Sequence, residues 1–198
     1  MFEIIFFLTF CLSSFICFII DIYYPKLRIK PEINEIVKKE YKKMLPQVLI
    51  NLSIGSSMLH IIDNYYYEES NNFYFIFNFL LWFILADFSF FFVHINLHRK
   101  QLYWLHKKHH EYIYTYGIGA IYSSCFEFIF GNIISLSFPF LFIKMPRMHI
   151  CWIIIFSTAS TVFFSHGGYI KNNKHLQHHK LRTKNFGLGI SDRIYGTY

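Results

Sequence analysis

The chain has 198 residues, of which 54% are hydrophobic, 22% aromatic and only 16% charged. Soluble domains run near about 25% charged, and here the 25 Phe and 15 Tyr outnumber the 19 basic and 12 acidic residues together. That balance disfavours both a soluble single domain and a disordered chain, and it places the formal net charge of +7 on a membrane protein rather than a nucleic-acid binder.

In chain order, Met1 to Ile20 reads as an uncleaved membrane helix. Glu3 is acidic where a signal peptide is basic, and no small-residue cleavage site precedes Asp21. From Glu32 to Lys43, the residues Ile33, Ile36, Val37, Tyr41 and Met44 recur at helical spacing. This fits either a basic amphipathic helix lying on the bilayer or a plain helical linker. Gln47 to Ile62 is a second, shorter apolar run, and Phe73 to Val93 is a Phe-rich third. Ile118 to Ile143 is a fourth, with Pro139 near its end, and His149 to Phe164 is a fifth at the short end for a span. The last two can form a hairpin closed by Lys144-Met145-Pro146-Arg147 that need not cross fully. Cys11, Cys17, Cys125 and Cys151 lie inside apolar runs without a CxxC pair, so they read as buried hydrophobes and not as a disulfide framework or zinc site.

Basic residues set the topology. The segment 21–46 holds seven, 94–116 holds four and the tail after Ser165 holds six; Lys144 and Arg147 are the other two. The 63–72 loop holds none and carries Asp63, Glu68 and Glu69. The three basic segments are therefore expected on the cytosolic side. Both histidine-rich stretches fall in them, although no histidine entered that count.

Nine of the eleven histidines are concentrated there. His94 and His98 are four apart; His106, His109 and His110 form one HxxHH; His175, His178 and His179 form another; His166 ends the fifth apolar run. Residues three and four apart share a helix face, so each cluster projects its imidazoles to one side, toward a common point. Neutral imidazole is a strong ligand for iron and zinc, and nine such rings exceed what one ion needs, so two ions are implied. His60 and His149 read as bystanders. No Glu-x-x-His repeat, His-Glu-x-x-His, Rossmann or P-loop fingerprint is present. Ligating rings need oriented partners for their second nitrogen. Asp87, two turns before His94 on the same face, is expected to accept such a bond, with Asn185 and Asp192 as further candidates. Glu127 lies inside an apolar run, where a carboxylate is costly. It reads as an acceptor beside the ligands or a helix clamp, against the plainer reading of a glutamate near the interface.

Together these residues resemble the fatty acid hydroxylase / sterol desaturase superfamily. The resemblance covers roughly Asp87 to Tyr198. It rests on His94-x-x-x-His98 and His106-Lys107-x-His109-His110-Glu111, then Ser165-His166-Gly167-Gly168-Tyr169, then His175-x-x-His178-His179 with Asn185-Phe186-Gly187 and Asp192-Arg193-Ile194-Tyr195-Gly196-Thr197. The stretch from His166 to His175 is short for the family, and Ser191 stands where a Trp is usual. The resemblance implies an all-α, multi-pass transmembrane bundle with a cytosolic histidine-rich helical cap holding a di-metal centre. It implies two iron ions, molecular oxygen, and a sterol, fatty acid or sphingoid base as the lipid to be hydroxylated. A cytochrome b5-type or reductase donor and residence in the endoplasmic reticulum complete the expectation. Desaturation on the same centre, or a non-catalytic metal-binding protein, are the alternatives. Residues 1–72 are read as N-terminal membrane helices and 73–198 as the hydroxylase-like domain.

Overall fold

The computed structural model describes residues 1–65 and 74–198, so most of the acidic 63–72 loop and Phe73 lie outside the described residues. The described chain is helical throughout, with no strand among the described residues. Four helices are long and apolar enough to cross a membrane: α1 (Phe2–Tyr23), α2 (Asn34–Tyr65), α3 (Phe75–Leu97) and α5 (Arg147–His166). A shorter apolar helix, α4 (Cys125–Leu141), precedes α5. Two cap helices, α6 (Lys174–Leu181) and α7 (Ile190–Tyr195), close the chain.

The five apolar runs map onto these helices with three differences. Residues 34–43 do not form a separate surface helix; they continue into the second run as one 32-residue helix, through Pro46. The reason is tertiary: Val37, Tyr41 and Met44 are buried against α1 and the 116–121 stretch, while Ile33 and Ile36 are left exposed. The fourth run is not one span. Gly117–Ile121 is a 3-10 turn, the chain bends at Ser123, and Ser124 restarts the helix by accepting from the backbone of Glu127. The fifth run is longer than expected, because Pro146 caps it early and a π-helical stretch, Thr161–His166, carries it to the histidine.

Polar contacts fix the two ends of the bundle, part-exposed at the first and buried at the second. At one end Asp63 of α2 meets the Met1 amino group at 2.6 Å and Arg147 at the start of α5 at 3.2 Å. At the other, Asp21 of α1 meets Arg28 at 2.9 Å and takes the hydroxyls of Tyr41 and Tyr169 at 2.9 and 3.0 Å. Between them the core joins Phe2, Phe6 and Phe10 of α1 to Val48 and Leu52 of α2 and Ile150, Ile153 and Ile154 of α5. Gly117 lets the histidine-end loop close on α1, since a Cβ there would lie 2.6 Å from Cys17. The Trp82 indole donates to the Leu136 carbonyl at 3.0 Å and ties α3 to α4. The four cysteines are free thiols, Cys17 and Cys151 buried and the other two half-buried.

Candidate metal centre

All nine clustered histidines meet at the Asp21 end of the bundle, around two neighbouring points instead of one. His94, His98, His106, His110 and His178 form the first group, and His109, His166, His175 and His179 the second; within each, the ligand nitrogens lie within 4.8 Å of one another. Helical spacing explains the split. In each HxxHH the outer pair, four residues apart, serves one group and the middle histidine serves the other. His106 and His110 thus join His178, while His175 and His179 join His109. His60 and His149 stay apart, His60 against Glu3 and Asn64 and His149 against the Phe75 ring.

Four rings are oriented by backbone carbonyls. Nδ1 of His94 donates to Phe186 at 2.7 Å, that of His178 to Lys184 at 2.7 Å, that of His179 to Tyr112 at 2.9 Å and that of His166 to Thr161 at 3.1 Å. A carbonyl has no proton to give, so each contact holds the ring proton on Nδ1 and leaves Nε2 a bare lone pair. Those Nε2 atoms point inward. The spacing is 3.1 Å for His94–His106, 3.0 Å for His106–His98, 3.1 Å for His98–His178 and 2.9 Å for His106–His110. In the second group it is 3.0 Å for both His175–His166 and His175–His179. Nitrogens about 2.1 Å from one ion and a right angle apart stand about 3.0 Å from each other. Converging lone pairs repel unless a cation lies between them, so the donor set fits a transition-metal ion in each group.

Three of the four residues expected beside the rings are placed elsewhere. Asp87, fully buried, meets no imidazole. It accepts from the backbone of Leu188, Gly189 and Ser191 and from the Ser191 hydroxyl at 2.7 Å, pinning the tail to α3. Ser191 thereby has a role at the position where a Trp was expected. Asp192 accepts from Phe186 and Gly187 and from the Thr197 hydroxyl, so it braces the loop whose Phe186 carbonyl orients His94. Asn185 takes a left-handed turn, φ 58°, which Asn tolerates, and its backbone N–H donates to the Thr197 carbonyl at 2.6 Å. Only Glu127 stands against the ligands. Its Oε1 is 2.8 Å from Nδ1 of His106 and 4.0 Å from Nδ1 of His109, one ring of each group. The carbonyl acceptors had no signature in the sequence, because every residue carries one.

Burial, reinforced by neighbouring imidazoles, holds His98 down to about 3 and His106 down to about 2. Burial also holds His178 down to about 4, against the opposing pull of the Lys184 carbonyl and Asp192. His109, His110, His175 and His179 are pushed well below the ordinary imidazole range for the same first reason. All are neutral, and so ligand-competent, at pH 7. In the metal-free protein these groups are neutral when folded but can take a proton once unfolded. Their contribution is therefore intact above the unfolded value of about 6.5 and is lost as pH falls below it. Thermal unfolding of the metal-free protein should be flat from pH 8 to 7 and drop steadily from pH 6.5 to 4; a flat profile across that window would contradict the burial of the rings.

Both groups open on one cavity of about 370 Å³. His94, His106, His109, His166, His175 and Glu127 floor it, and Trp82, Phe83, Leu136 and Phe156 line its far end between α3, α4 and α5.

A helical membrane frame with two adjoining polyhistidine pockets beneath an apolar cavity defines a class: membrane proteins whose twin histidine groups could hold metal ions. Residues 79–197 match the fatty acid hydroxylase family model, and the chain belongs to that family. Among curated proteins it is similar to the fatty acid hydroxylase ahd1 of Mycosarcoma maydis, 28% identical over 80% of this chain and 45% of that protein. It is also similar to the very-long-chain aldehyde decarbonylase GL1-8 of Oryza sativa subsp. indica, 31% identical over 46% of this chain and 33% of that one. The chain thus spans less than half the length of these relatives. No solved structure matches it significantly.

Proposed function

We propose that the chain is a di-iron lipid oxygenase that hydroxylates a C–H bond, with its histidine end facing the cytosol of the endoplasmic reticulum. The observation that supports this best is the placing of two sets of inward-facing Nε2 atoms at the floor of an apolar cavity that runs between membrane helices. His94, His98, His106, His110 and His178 would hold one ion, and His109, His166, His175 and His179 the other. Bound there, the ions supply activation of molecular oxygen, which side chains alone cannot achieve on an unactivated C–H bond.

The remaining work falls to the protein. The Phe, Trp and Leu walls exclude water and hold the lipid chain, and the carbonyls and Glu127 keep the rings aimed. One oxygen atom enters the C–H bond; the other leaves as water after taking two electrons and two protons. The sequence has no flavin, haem or nicotinamide motif, so the electrons are assigned to a cytochrome b5-type protein or related reductase. Lys107, exposed beside the histidines, and Lys108, whose Nζ holds Gln47 at 2.7 Å, belong to the basic face that would steer such an acidic donor. Changing both to Glu should slow reduction while metal content is kept; an unaltered rate at low salt would count against this partner.

The test is purification from membranes in the presence of iron, followed by metal analysis and lipid product analysis with and without oxygen. An iron in each group and an oxygen-dependent alcohol support the reading. A new double bond, or a hydrocarbon left when an aldehyde loses its carbonyl carbon, would move the chain to desaturation or to the chemistry named for the second relative. No iron and no product would leave a metal-binding protein without oxygenase activity. Glu127→Gln keeps shape and replaces the carboxyl beside both groups by an amide; a fall of about 10- to 100-fold in metal affinity or turnover is expected, read by competitive chelation.

A further inference from the structure

Three layers follow one another up the cavity. The floor is histidine and Glu127, and the far end is aromatic and aliphatic. Between them lies a band of polar side chains that the metal chemistry does not use. On α4 it is Asn132; on α5 it is Ser157, Ser160 and Thr161.

The backbone is irregular at both places. Phe128–Ile134 and Thr161–His166 are π-helical, and π segments gather at functional sites because the extra residue re-aims side chains out of the regular helix faces. The first of them delivers Asn132 to the cavity, five residues beyond Glu127. The hydroxyls opposite have already spent their protons within α5. Thr161 donates to the Ser157 carbonyl at 2.7 Å, Ser160 to the same carbonyl at 3.2 Å and Ser157 to that of Ile154 at 3.3 Å. They face the cavity as acceptors. The Asn132 side chain makes no hydrogen bond among the described residues. Asn132 is half-buried on the cavity wall, so the donor and the acceptor of its amide both stand open to a bound group.

We infer that Asn132 and the facing Ser157, Ser160 and Thr161 bind a neutral hydroxyl of the lipid, so that the substrate is one already carrying a hydroxyl group and not a free fatty acid. This rests on the reading that the cavity receives the lipid. An amide offers a donor and an acceptor, the α5 hydroxyls offer acceptors, and a hydroxyl satisfies both walls at once. A carboxylate does not, since it would face those acceptors with no cation in the band. The cation that lines the cavity is Lys174, whose ammonium covers the Tyr198 ring at 4.0 Å. Asn132 lies about one helical turn beyond Glu127, which is about 5–6 Å along the axis. The carbon presented to the metals is therefore a few bonds from the bound hydroxyl.

The test separates binding from turnover. Membranes holding the full-length chain are exposed to a long-chain alcohol bearing a photoactivatable diazirine, and the labelled peptides are mapped. Label on the α4 and α5 peptides is expected, displaced by the unlabelled alcohol and roughly tenfold less well by the acid of equal length. Asn132→Leu, close in volume, should weaken alcohol labelling by a similar factor and remove the alcohol's advantage over the acid as a competitor. Equal competition by the acid, or alcohol labelling untouched by Asn132→Leu, overturns the inference. Labelling as expected in a protein that forms no oxygenated product would uphold this site and refute the oxygenase reading; product formation with equal use of acid and alcohol would do the reverse.

Discussion

Replacing His178 by Ala is expected to leave the purified chain with metal in one group only and to remove turnover. His178 is completely buried, and its Nε2 lies 3.1 Å from both His98 and His110, so it closes the first group. The second group contains no atom of His178 and keeps all four of its rings. The loss of activity should exceed the roughly 10- to 100-fold typical of a partner outside the ligand set, because a ligand itself is gone. His109→Ala should empty the second group in the complementary way. His149→Ala, at the opposite end of the bundle against Phe75, should keep both metals. Metal analysis of the three proteins decides the matter. Two full metals in His178→Ala would break the division of nine histidines into five and four. Membrane insertion should be unaffected in all three, since the helices long enough to span carry none of the changed residues except His149 in α5.

Arg28→Met should destabilise the protein by about 3–5 kcal/mol, the usual result of removing one member of a buried ion pair. The Arg28 and Asp21 side chains are 1% and 0% exposed, and their separation is 2.9 Å. Removing the guanidinium strands the Asp21 carboxylate. Arg28 also donates to the Thr115 carbonyl at 3.1 Å, and Thr115 in turn donates to the carbonyl of His166 at 2.7 Å. The Ile29 amide meets the carbonyl of Gly168, whose φ of +76° suits only glycine well. The pair therefore fastens the N-terminal helices to the turn that carries a predicted ligand. Thermal unfolding in detergent reads the loss, and Arg28→Met should also release metal from the second group at lower chelator concentration. Asp21→Leu added to Arg28→Met should recover part of the stability, because no charge is then left unpaired. A melting temperature unchanged in the single variant would show that the pair is dispensable.

The membrane helices and the histidine clusters were legible because each has a periodic signature: long apolar runs for the spans, and three- and four-residue spacing for the rings. What escaped lacked such a signature. The merging of 34–43 with 47–62 depended on partners of Val37 and Met44 that are distant in sequence. The π stretches cannot be read from hydropathy, so neither the length of α5 nor the placing of Asn132 followed from it. Asp87, Asp192 and Asn185 were expected to orient the ligating rings, yet they hold the tail and its turn while carbonyls orient the rings. Asp21 ends an apolar run much as Glu127 interrupts one, and the same reasoning about buried carboxylates would have marked it.

At 1.5 Å per residue the 32 residues of α2 extend about 48 Å, well beyond a hydrocarbon thickness of about 30 Å. If Gln47 onward fills the lipid, the preceding turns rise into water as a post. Glu40 and Lys43 on that post grip Tyr112 and Glu111, and Gln47 at its foot meets Lys108. The histidine loop is thus propped clear of the acyl layer at a fixed height, and a bilayer of different thickness would alter how far a lipid tail must climb to reach it.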